Sequence, residues 1–235
     1  MKHNLTFLFV VLLSSFFVFT SCTSKEQEAK YVFYFIGDGM GFSHVAAAEY
    51  YSAFMEDGKI GNNSLSFTKF PVLGMASSHS THNVITCSSA AGTALSTGTK
   101  TKNGFLGVTP DSVSLKSIAY KIHDAGYNVG VMSTVSLDHA TPGAFYANSV
   151  SRGDYYSIAA QVSNSGFEFF AGGGFITPKG KNNDKKSAYE LAQEQGYVIA
   201  AGLEEFSNKK AVSEKMILLQ KEGVVSDELP FAIDR

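Results

Sequence analysis

Hydroxyl-bearing and very small side chains dominate the stretch TCSSAAGTALSTGTKTKNG, residues 86–104. Residues this small build little core, but they allow another group to come close to the backbone. Ser88 and Ser89 stand where an Ala-rich helix would begin, near unpaired N–H groups and the positive end of the helix dipole. A serine there could attack a bound anion. Taken alone, an ordinary N-cap of a helix that stops at Gly98 is the more common explanation.

An aspartate follows the first apolar run of the mature chain. The run YVFYFI, residues 31–36, is typical of a strand that is buried on both faces. Asp38 comes directly after it, between the glycines of GDGMG, so its carboxylate would be held at a strand end with open space around it. A carboxylate in that position suits a metal ion, and an Asp-Gly turn between strand and helix is the alternative.

A second polar cluster, STVSLDHATP, occupies residues 133–142 after another apolar run. His139 and Thr141 are two residues apart, so in an extended backbone their side chains point the same way and Asp138 points elsewhere. An imidazole and a hydroxyl together could bind a metal. A structural histidine, and a threonine that starts a helix before Pro142, would explain the same residues.

Arg152 follows Pro142 by ten residues. A guanidinium near a nucleophile and a metal would hold two oxygens of a tetrahedral anion. By itself, a surface arginine paired with Asp154 is the more common arrangement. Arg152 therefore gains a functional meaning only together with Asp38 and Ser88.

Apolar runs that alternate with helical patterns have to position these residues. The predicted strands are residues 31–36, 72–76, 127–132, 167–171, 197–200 and 216–219, and the predicted helices are 41–54, 88–98, 113–125, 186–195 and a segment around Leu203. Strands alternating with helices predict an α/β protein, three-layered around a largely parallel central sheet. In such sheets ligands bind beyond the carboxyl ends of the strands, where Asp38 and residues 133–142 stand.

Composition narrows the classes of partner. The chain has 235 residues, a net charge of -2 and 44% hydrophobic residues, so it can bury a sizeable core and no nucleic acid is expected as a partner. The lysine-rich segment KGKNNDKK, residues 179–186, is predicted to be a solvated turn, although a basic loop also attracts anions.

The N-terminus has the features of a targeting signal. Lys2 and His3 precede the apolar run at residues 5–19, which leads into Thr-Ser-Cys. The small residues before Cys22 resemble the lipobox of bacterial lipoproteins, in which that cysteine carries the lipid. A plain signal peptide cleaved nearby is the alternative.

This signal sets the expected organisation and location of the chain. We expect a signal peptide at residues 1–22, a short linker at 23–30 and one domain over 31–235. The expected location is the periplasm, or the outer membrane through a lipid on Cys22. Once Cys22 is lipidated or removed, Cys87 is the only cysteine left, so no intrachain disulfide is expected.

Four motifs in one order resemble the alkaline phosphatases. They are GDGMG, the serine-rich stretch ending in STGTKTKNG, STVSLDHATP, and then Ser-Arg ten residues later. The resemblance runs from about Tyr31 to the end of the chain. It implies metal-dependent hydrolysis of phosphate monoesters through a phosphoserine, with two zinc ions, one magnesium ion and, at full length, a homodimer.

The resemblance also assigns roles to individual residues. Asp38 would be shared between one zinc and the magnesium, and Ser88 would be the nucleophile, with Ser89 in that role if the alignment is shifted by one. Thr141 and His139 would belong to the magnesium site. Arg152 would bind phosphate.

Two positions depart from the best-known bacterial pattern. Cys87 stands where that pattern has the aspartate that orients the arginine, which affects phosphate affinity and release. His139 stands where the pattern has an aspartate of the magnesium shell, as in eukaryotic members. An imidazole there favours zinc over magnesium at the third site.

The resemblance covers only the N-terminal part of the family's domain. The family's remaining zinc ligands come later in the polypeptide, and no histidine follows Arg152 here, so we expect a truncated domain without zinc-dependent turnover by itself. Three hypotheses remain. The chain is part of an exported metal-dependent phosphomonoesterase, a noncatalytic chain that binds phosphate weakly through Ser88 and Arg152, or a phosphodiesterase or sulfatase of the same superfamily.

Overall fold

A computed structural model describes residues 29–61 and 65–220 of the chain. The chain divides into two compact units, Met1–Gly37 and Asp38–Arg235. In the described part of the second unit the helices are α1 (Phe42–Asp57), α2 (Ser88–Thr97), α3 (Ile118–Asp124), α4 (Ala140–Gly143), α5 (Tyr155–Ser165), α6 (Ala188–Glu194) and α7 (Gly202–Lys209), with a short 3-10 helix at Ser66–Lys69; the strands are β1 (Gly130–Met132), β2 (Phe169–Gly172), β3 (Tyr197–Ala201) and β4 (Lys215–Leu219). The predicted signal peptide and Cys22 lie outside the described residues.

The four strands form one parallel sheet in the order β1-β2-β4-β3. Its register places Val131 opposite Phe170 and Ala171 opposite Leu218. The strands are short and apolar, and helices connect them, as is usual for a parallel sheet. The prediction of an α/β protein with a largely parallel sheet is confirmed, and the last four predicted strands are all present.

Aromatic side chains from the strands and from the loops beside them make up the centre of the core. Tyr146 meets Phe170 edge to face, with ring centroids 5.3 Å apart. The hydroxyl of Tyr146 donates to the carbonyl of Leu137 at 2.7 Å, and that of Tyr197 donates to the carbonyl of Phe167 at 2.6 Å. These buried hydroxyls are therefore satisfied, and the first of them attaches the loop after β1 to the core.

Two predicted strands are absent from the described residues. Tyr31–Ile36, in the first unit, pairs with no strand, and the side chain of Phe35 is 85% exposed. Residues 72–76 also form no strand, and Met75 is 93% exposed. An apolar run shows that burial would be favourable, but a strand also needs a neighbour for its N–H and C=O groups, and periodicity does not identify that neighbour.

Helix α1 forms where it was predicted but buries a different face. The spacing of Val45, Ala48 and Tyr51 predicts an apolar buried side, yet Ala48 and Tyr51 are exposed. The buried residue of α1 is Glu49, whose Oε1 accepts hydrogen bonds from the N–H of Leu65 at 3.2 Å and from the hydroxyl of Thr68 at 2.9 Å. A polar contact with the 3-10 helix region therefore decides which side of α1 faces inward.

Helix α3 is shorter than predicted because the chain before it forms a turn. The carbonyl of Val113 accepts from the N–H of Thr109, and the N–H of Leu115 donates to the carbonyl of Gly107, both at 2.8 Å. The hydroxyl of Ser117 then caps the helix by accepting from the N–H of Tyr120. Within the described residues no helix combines the length and the apolar character needed to cross a membrane.

Candidate active site

Helix α2 places Ser88 and Ser89 on different sides. Cys87, with an extended backbone, is the N-cap, so both serines lie in the first turn. The hydroxyl of Ser88 donates to Oδ1 of Asp38 at 3.1 Å. Ser89 is fully buried, and its hydroxyl contacts the thiol of Cys87 at 3.0 Å. Of the two candidate nucleophiles, only Ser88 therefore lies beside the carboxylate.

Asp38 connects two distant parts of the sequence. Its Oδ1 accepts from Ser88 and its Oδ2 accepts from the hydroxyl of Thr141 at 2.8 Å. The two partners are 50 and 103 residues away in the sequence. The side chains around Asp38 are partly open to solvent, so the carboxylate remains accessible to an ion or a substrate.

His139 and Arg152 make the second contact of the site. Nη2 of Arg152 lies 3.3 Å from Nε2 of His139, so the guanidinium donates to an unprotonated ring nitrogen. His139 is the N-cap of α4, and Thr141 is in the first turn of that helix. The extended backbone in which both side chains would point the same way is therefore not present at Thr141, and the structure matches the alternative of a threonine that starts a helix before Pro142. No ion pair joins Arg152 to Asp154 in the described part of the chain, because the carboxylate of Asp154 caps α5 instead.

The small residues of α2 allow α4 to pack against it. A Cβ atom on Gly92 would meet the Cβ of Ala144 at 3.0 Å. On the next turn of α2, the hydroxyl of Ser96 donates to the carbonyl of Ala144 at 2.7 Å. The group that approaches the backbone of α2 here is thus another helix. This close packing brings the segment that carries His139 and Thr141 next to Ser88 and Asp38.

The thiol of Cys87 is surrounded by hydrogen-bond donors. Partial burial would raise its pKa, but the hydroxyl of Ser89 and the N–H groups of Ala90 and Gly104 outweigh that effect and lower the pKa to about 7. The N–H of Gly104 lies 3.2 Å from the sulfur, and the carbonyl of Gly104 accepts from the N–H of Arg152 at 2.7 Å. Cys87 thus connects to Arg152 through the backbone of one glycine.

Asp138 has a structural role that the sequence does not reveal. The sequence predicts only that its side chain points away from that of His139. It is fully buried, and its Oδ2 accepts from the N–H of Ile176 at 2.9 Å. A second bond, from the N–H of Leu137 to the carbonyl of Gly174 at 2.8 Å, joins the same two loops. Asp138 therefore attaches the loop after β2 to the segment that carries His139.

Burial of Asp138 predicts a pH-dependent stability. Desolvation raises the pKa of this carboxyl to about 6 in the folded chain, above its ordinary value of 3.8. The folded state then holds a proton that the unfolded state has lost, so the free energy of unfolding falls as pH rises from about 4 to about 6. This loss amounts to about 3 kcal/mol. Asp138→Asn keeps an acceptor for Ile176 and cannot ionise, so we expect its urea-unfolding free energy to lack this fall. If the free energy of unfolding fell with pH to the same extent in wild type and variant, Asp138 would not be the group responsible.

The described residues contain no group of three or more His, Cys, Asp or Glu side chains that could hold a metal ion. The structure brings together Asp38, Ser88 and Thr141, and separately His139 and Arg152. A complete zinc site of three or four protein ligands is therefore not found in this part of the chain.

The comparisons with known proteins point to one family. The family model described as Alkaline phosphatase matches residues 29–171. Alkaline phosphatase 4 of Bacillus subtilis is 36% identical over 145 residues, which are 58% of this chain and 30% of that protein. The human tissue-nonspecific isozyme of alkaline phosphatase is 34% identical over 143 residues, which are 57% of this chain and 27% of that protein.

Solved structures match a larger part of the chain. The alkaline phosphatase of the Antarctic bacterium TAB5 is 30% identical with a TM-score of 0.68, covering 81% of this chain and 53% of that one. A variant of the same enzyme, with Mg bound in its M3 site, gives a TM-score of 0.67. The chain thus spans about 30% of the curated relatives and about half of the solved ones. Since the family model covers more than half of its residues, the chain belongs to the alkaline phosphatase family.

Proposed function

We propose that this chain carries part of the site of a metal-dependent phosphomonoesterase that works through a phosphoserine on Ser88. The observation that carries the proposal is the contact of one carboxylate, Asp38, with both Ser88 and Thr141. Membership of the alkaline phosphatase family supports it. Asp38, Ser88, His139, Thr141 and Arg152 are the residues to which we assign the site.

Magnesium fits the oxygen donors that meet at Asp38. A carboxylate oxygen and the hydroxyl of Thr141 lie 2.8 Å apart, and both are ligands that magnesium takes in proteins. His139, at the N-cap of the same helix, adds an imidazole, which would favour zinc at this position. When bound, a metal ion supplies positive charge that offsets the charge of a phosphate dianion.

The donors of the described residues do not fit the two zinc ions. Zinc sites use three or four protein ligands, and no such cluster is present in residues 29–61 and 65–220. We therefore infer that zinc binding depends on ligands outside this described part.

The residues themselves suggest how a phosphoryl group is held and attacked. The N-terminal N–H groups of α2 and the guanidinium of Arg152 bind the nonbridging oxygens of the phosphate. The hydroxyl of Ser88 donates to Oδ1 of Asp38, so this carboxylate can accept the proton as Ser88 Oγ bonds to phosphorus and the bond from phosphorus to the ester oxygen breaks. The departing alkoxide takes up a proton and leaves as the alcohol, and attack of water on phosphorus then releases phosphate and restores the Ser88 hydroxyl. The contact with His139 limits the orientations open to Arg152.

A panel of substrates tests the reaction class. We expect the native gene product, meaning the protein expressed from its complete gene, to hydrolyse p-nitrophenyl phosphate and to lose this activity in EDTA. Faster hydrolysis of bis-p-nitrophenyl phosphate or of p-nitrophenyl sulfate would assign it to a phosphodiesterase or a sulfatase. Phosphate binding without turnover, with zinc and magnesium present, would favour the noncatalytic alternative.

We also propose export and lipid attachment at Cys22, with a homodimer at full length. The apolar run at residues 5–19 and the small residues before Cys22 support export and lipidation. Dimerisation rests on the family resemblance alone. Mass spectrometry of the protein from membranes would show a lipid on Cys22 or its absence, and sedimentation would give the number of subunits.

A further inference from the structure

The loop between β2 and α6 carries a concentration of positive charge that the proposed reaction does not use. Four lysines and one aspartate lie within residues 179–186, and all of these charged side chains are exposed. The ammonium group of Lys186 pairs with Glu194, and that of Lys185 lies 4.5 Å from the ring centroid of Tyr156. Lys179 and Lys181 form no ion pair within the described residues. Within this loop, these two side chains are therefore the cations most available to a ligand.

The loop is attached at both ends to segments that carry the site. At its start, the N–H of Ile176 donates to Asp138, the residue before His139. At its end, the hydroxyl of Tyr156 donates to the carbonyl of Lys186 at 2.9 Å. Tyr156 lies in the first turn of α5, four residues after Arg152. The loop thus contacts the neighbours of both His139 and Arg152.

The topology places this loop at the same edge of the sheet as the candidate site. Strands β1 and β2 are parallel neighbours, so the loops that follow them leave the sheet at the same edge. The loop after β1 leads to His139 and Thr141, and the loop after β2 leads to the lysines. Internal bonds, from Lys185 N–H to the carbonyl of Lys179 at 3.0 Å and from Ala188 N–H to the carbonyl of Pro178 at 2.7 Å, keep the loop compact.

We propose that this basic loop makes the site prefer phosphate monoesters whose alcohol part carries a further negative charge. The inference rests on the proposed function, in which Arg152 binds the phosphoryl group. The loop adds little to the binding affinity of an ester with a neutral alcohol part, whereas an anionic alcohol part is attracted by Lys179 and Lys181. Because both lysines are exposed, the attraction is modest and is screened by salt over about 10 Å.

Two ligands that differ by one carboxylate test this preference. Calorimetry at low ionic strength, with zinc and magnesium present, measures the binding of phosphoglycerate and of glycerol phosphate, and every protein in the comparison carries Ser88→Ala so that neither ester is hydrolysed during the titration. We expect about fivefold tighter binding of phosphoglycerate, the upper range for exposed charge pairs. In Lys179→Gln/Lys181→Gln this ratio should fall close to one. The control Lys210→Gln/Lys215→Gln removes the same charge near the start of β4, at the opposite edge of the sheet, and should keep the ratio.

Arg152→Ala separates the failure of this inference from that of the proposed function. One outcome is that Arg152→Ala weakens the binding of both ligands while the loop variant leaves the ratio of their affinities unchanged. In that case the preference does not come from the loop, and the inference is overturned while the proposed function stands. If neither ligand binds, or if binding of both is insensitive to Arg152→Ala, the proposed function fails and the inference fails with it. If the control variant lowered the affinity ratio as much as the loop variant does, the effect would come from net charge, and the inference would also be overturned.

Discussion

Replacing Ser88 by alanine is expected to abolish hydrolysis of p-nitrophenyl phosphate by the native gene product, with a loss in kcat of about 10³-fold or more. The reason is that Ser88 alone among the serines at the start of α2 contacts Asp38, and its Oγ would form the bond to phosphorus. The measurement is the steady-state rate, together with mass spectrometry of acid-quenched protein, which should find phosphoserine in the wild type and none at this position in the variant.

Ser89→Ala is the matched control for this prediction. Ser89 is fully buried, and its hydroxyl contacts Cys87, so its loss removes one donor to the thiol without removing the nucleophile. We expect a loss of kcat below about tenfold and an unchanged phosphopeptide. A phosphoserine that disappears in Ser89→Ala and persists in Ser88→Ala would shift the assignment by one residue and contradict the geometry described above.

Replacing Asp38 by asparagine is expected to have the second largest effect, on magnesium binding. Asparagine keeps the shape of the side chain but removes the negative charge, and an amide group cannot accept hydrogen bonds on both sides from Ser88 and Thr141. We expect the affinity for magnesium, measured by calorimetry, to fall by more than about tenfold. The rate of phosphate ester hydrolysis should fall with it.

Asp111→Asn controls for the loss of one negative charge. Asp111 is exposed in the turn before α3 and is not among the hydrogen-bond partners described for Asp38. Its replacement should leave the magnesium affinity within about twofold of the wild type, since an exposed charge at a distance is largely screened. Equal effects of the two substitutions, or full magnesium affinity in Asp38→Asn, would show that Asp38 is not a ligand.

Local patterns predicted most of the second half of the described chain. The strands β1 to β4 were expected because each is a short apolar run with a helix beside it, and in each case the neighbouring strand is present to complete the ladder. The same reasoning was wrong for residues 31–36 and 72–76, which form no strand. The difference lies in the partner strand, which the run itself does not encode.

The buried polar residues were the least predictable part of the fold. Glu49 faces inward on α1 because a backbone N–H and a hydroxyl from residues 65 and 68 meet its carboxylate. Asp138 is buried because Ile176 donates to it across two loops. None of these three donors lies near its acceptor in the sequence, and a charged residue is usually assigned to the surface when only the sequence is known.

The sequence by itself determined the family, the α/β class and the residues of the candidate site, since motif order and apolar periodicity are properties of the linear chain. Only the tertiary structure decided which of these residues meet. It placed Ser88 and Thr141 on the two oxygens of Asp38, and it put Arg152 beside His139. It also showed that the small residues of α2 allow α4 to pack closely against it. Such contacts join residues 13 to 103 positions apart, and their geometry depends on how helices and sheet pack, which no local pattern specifies.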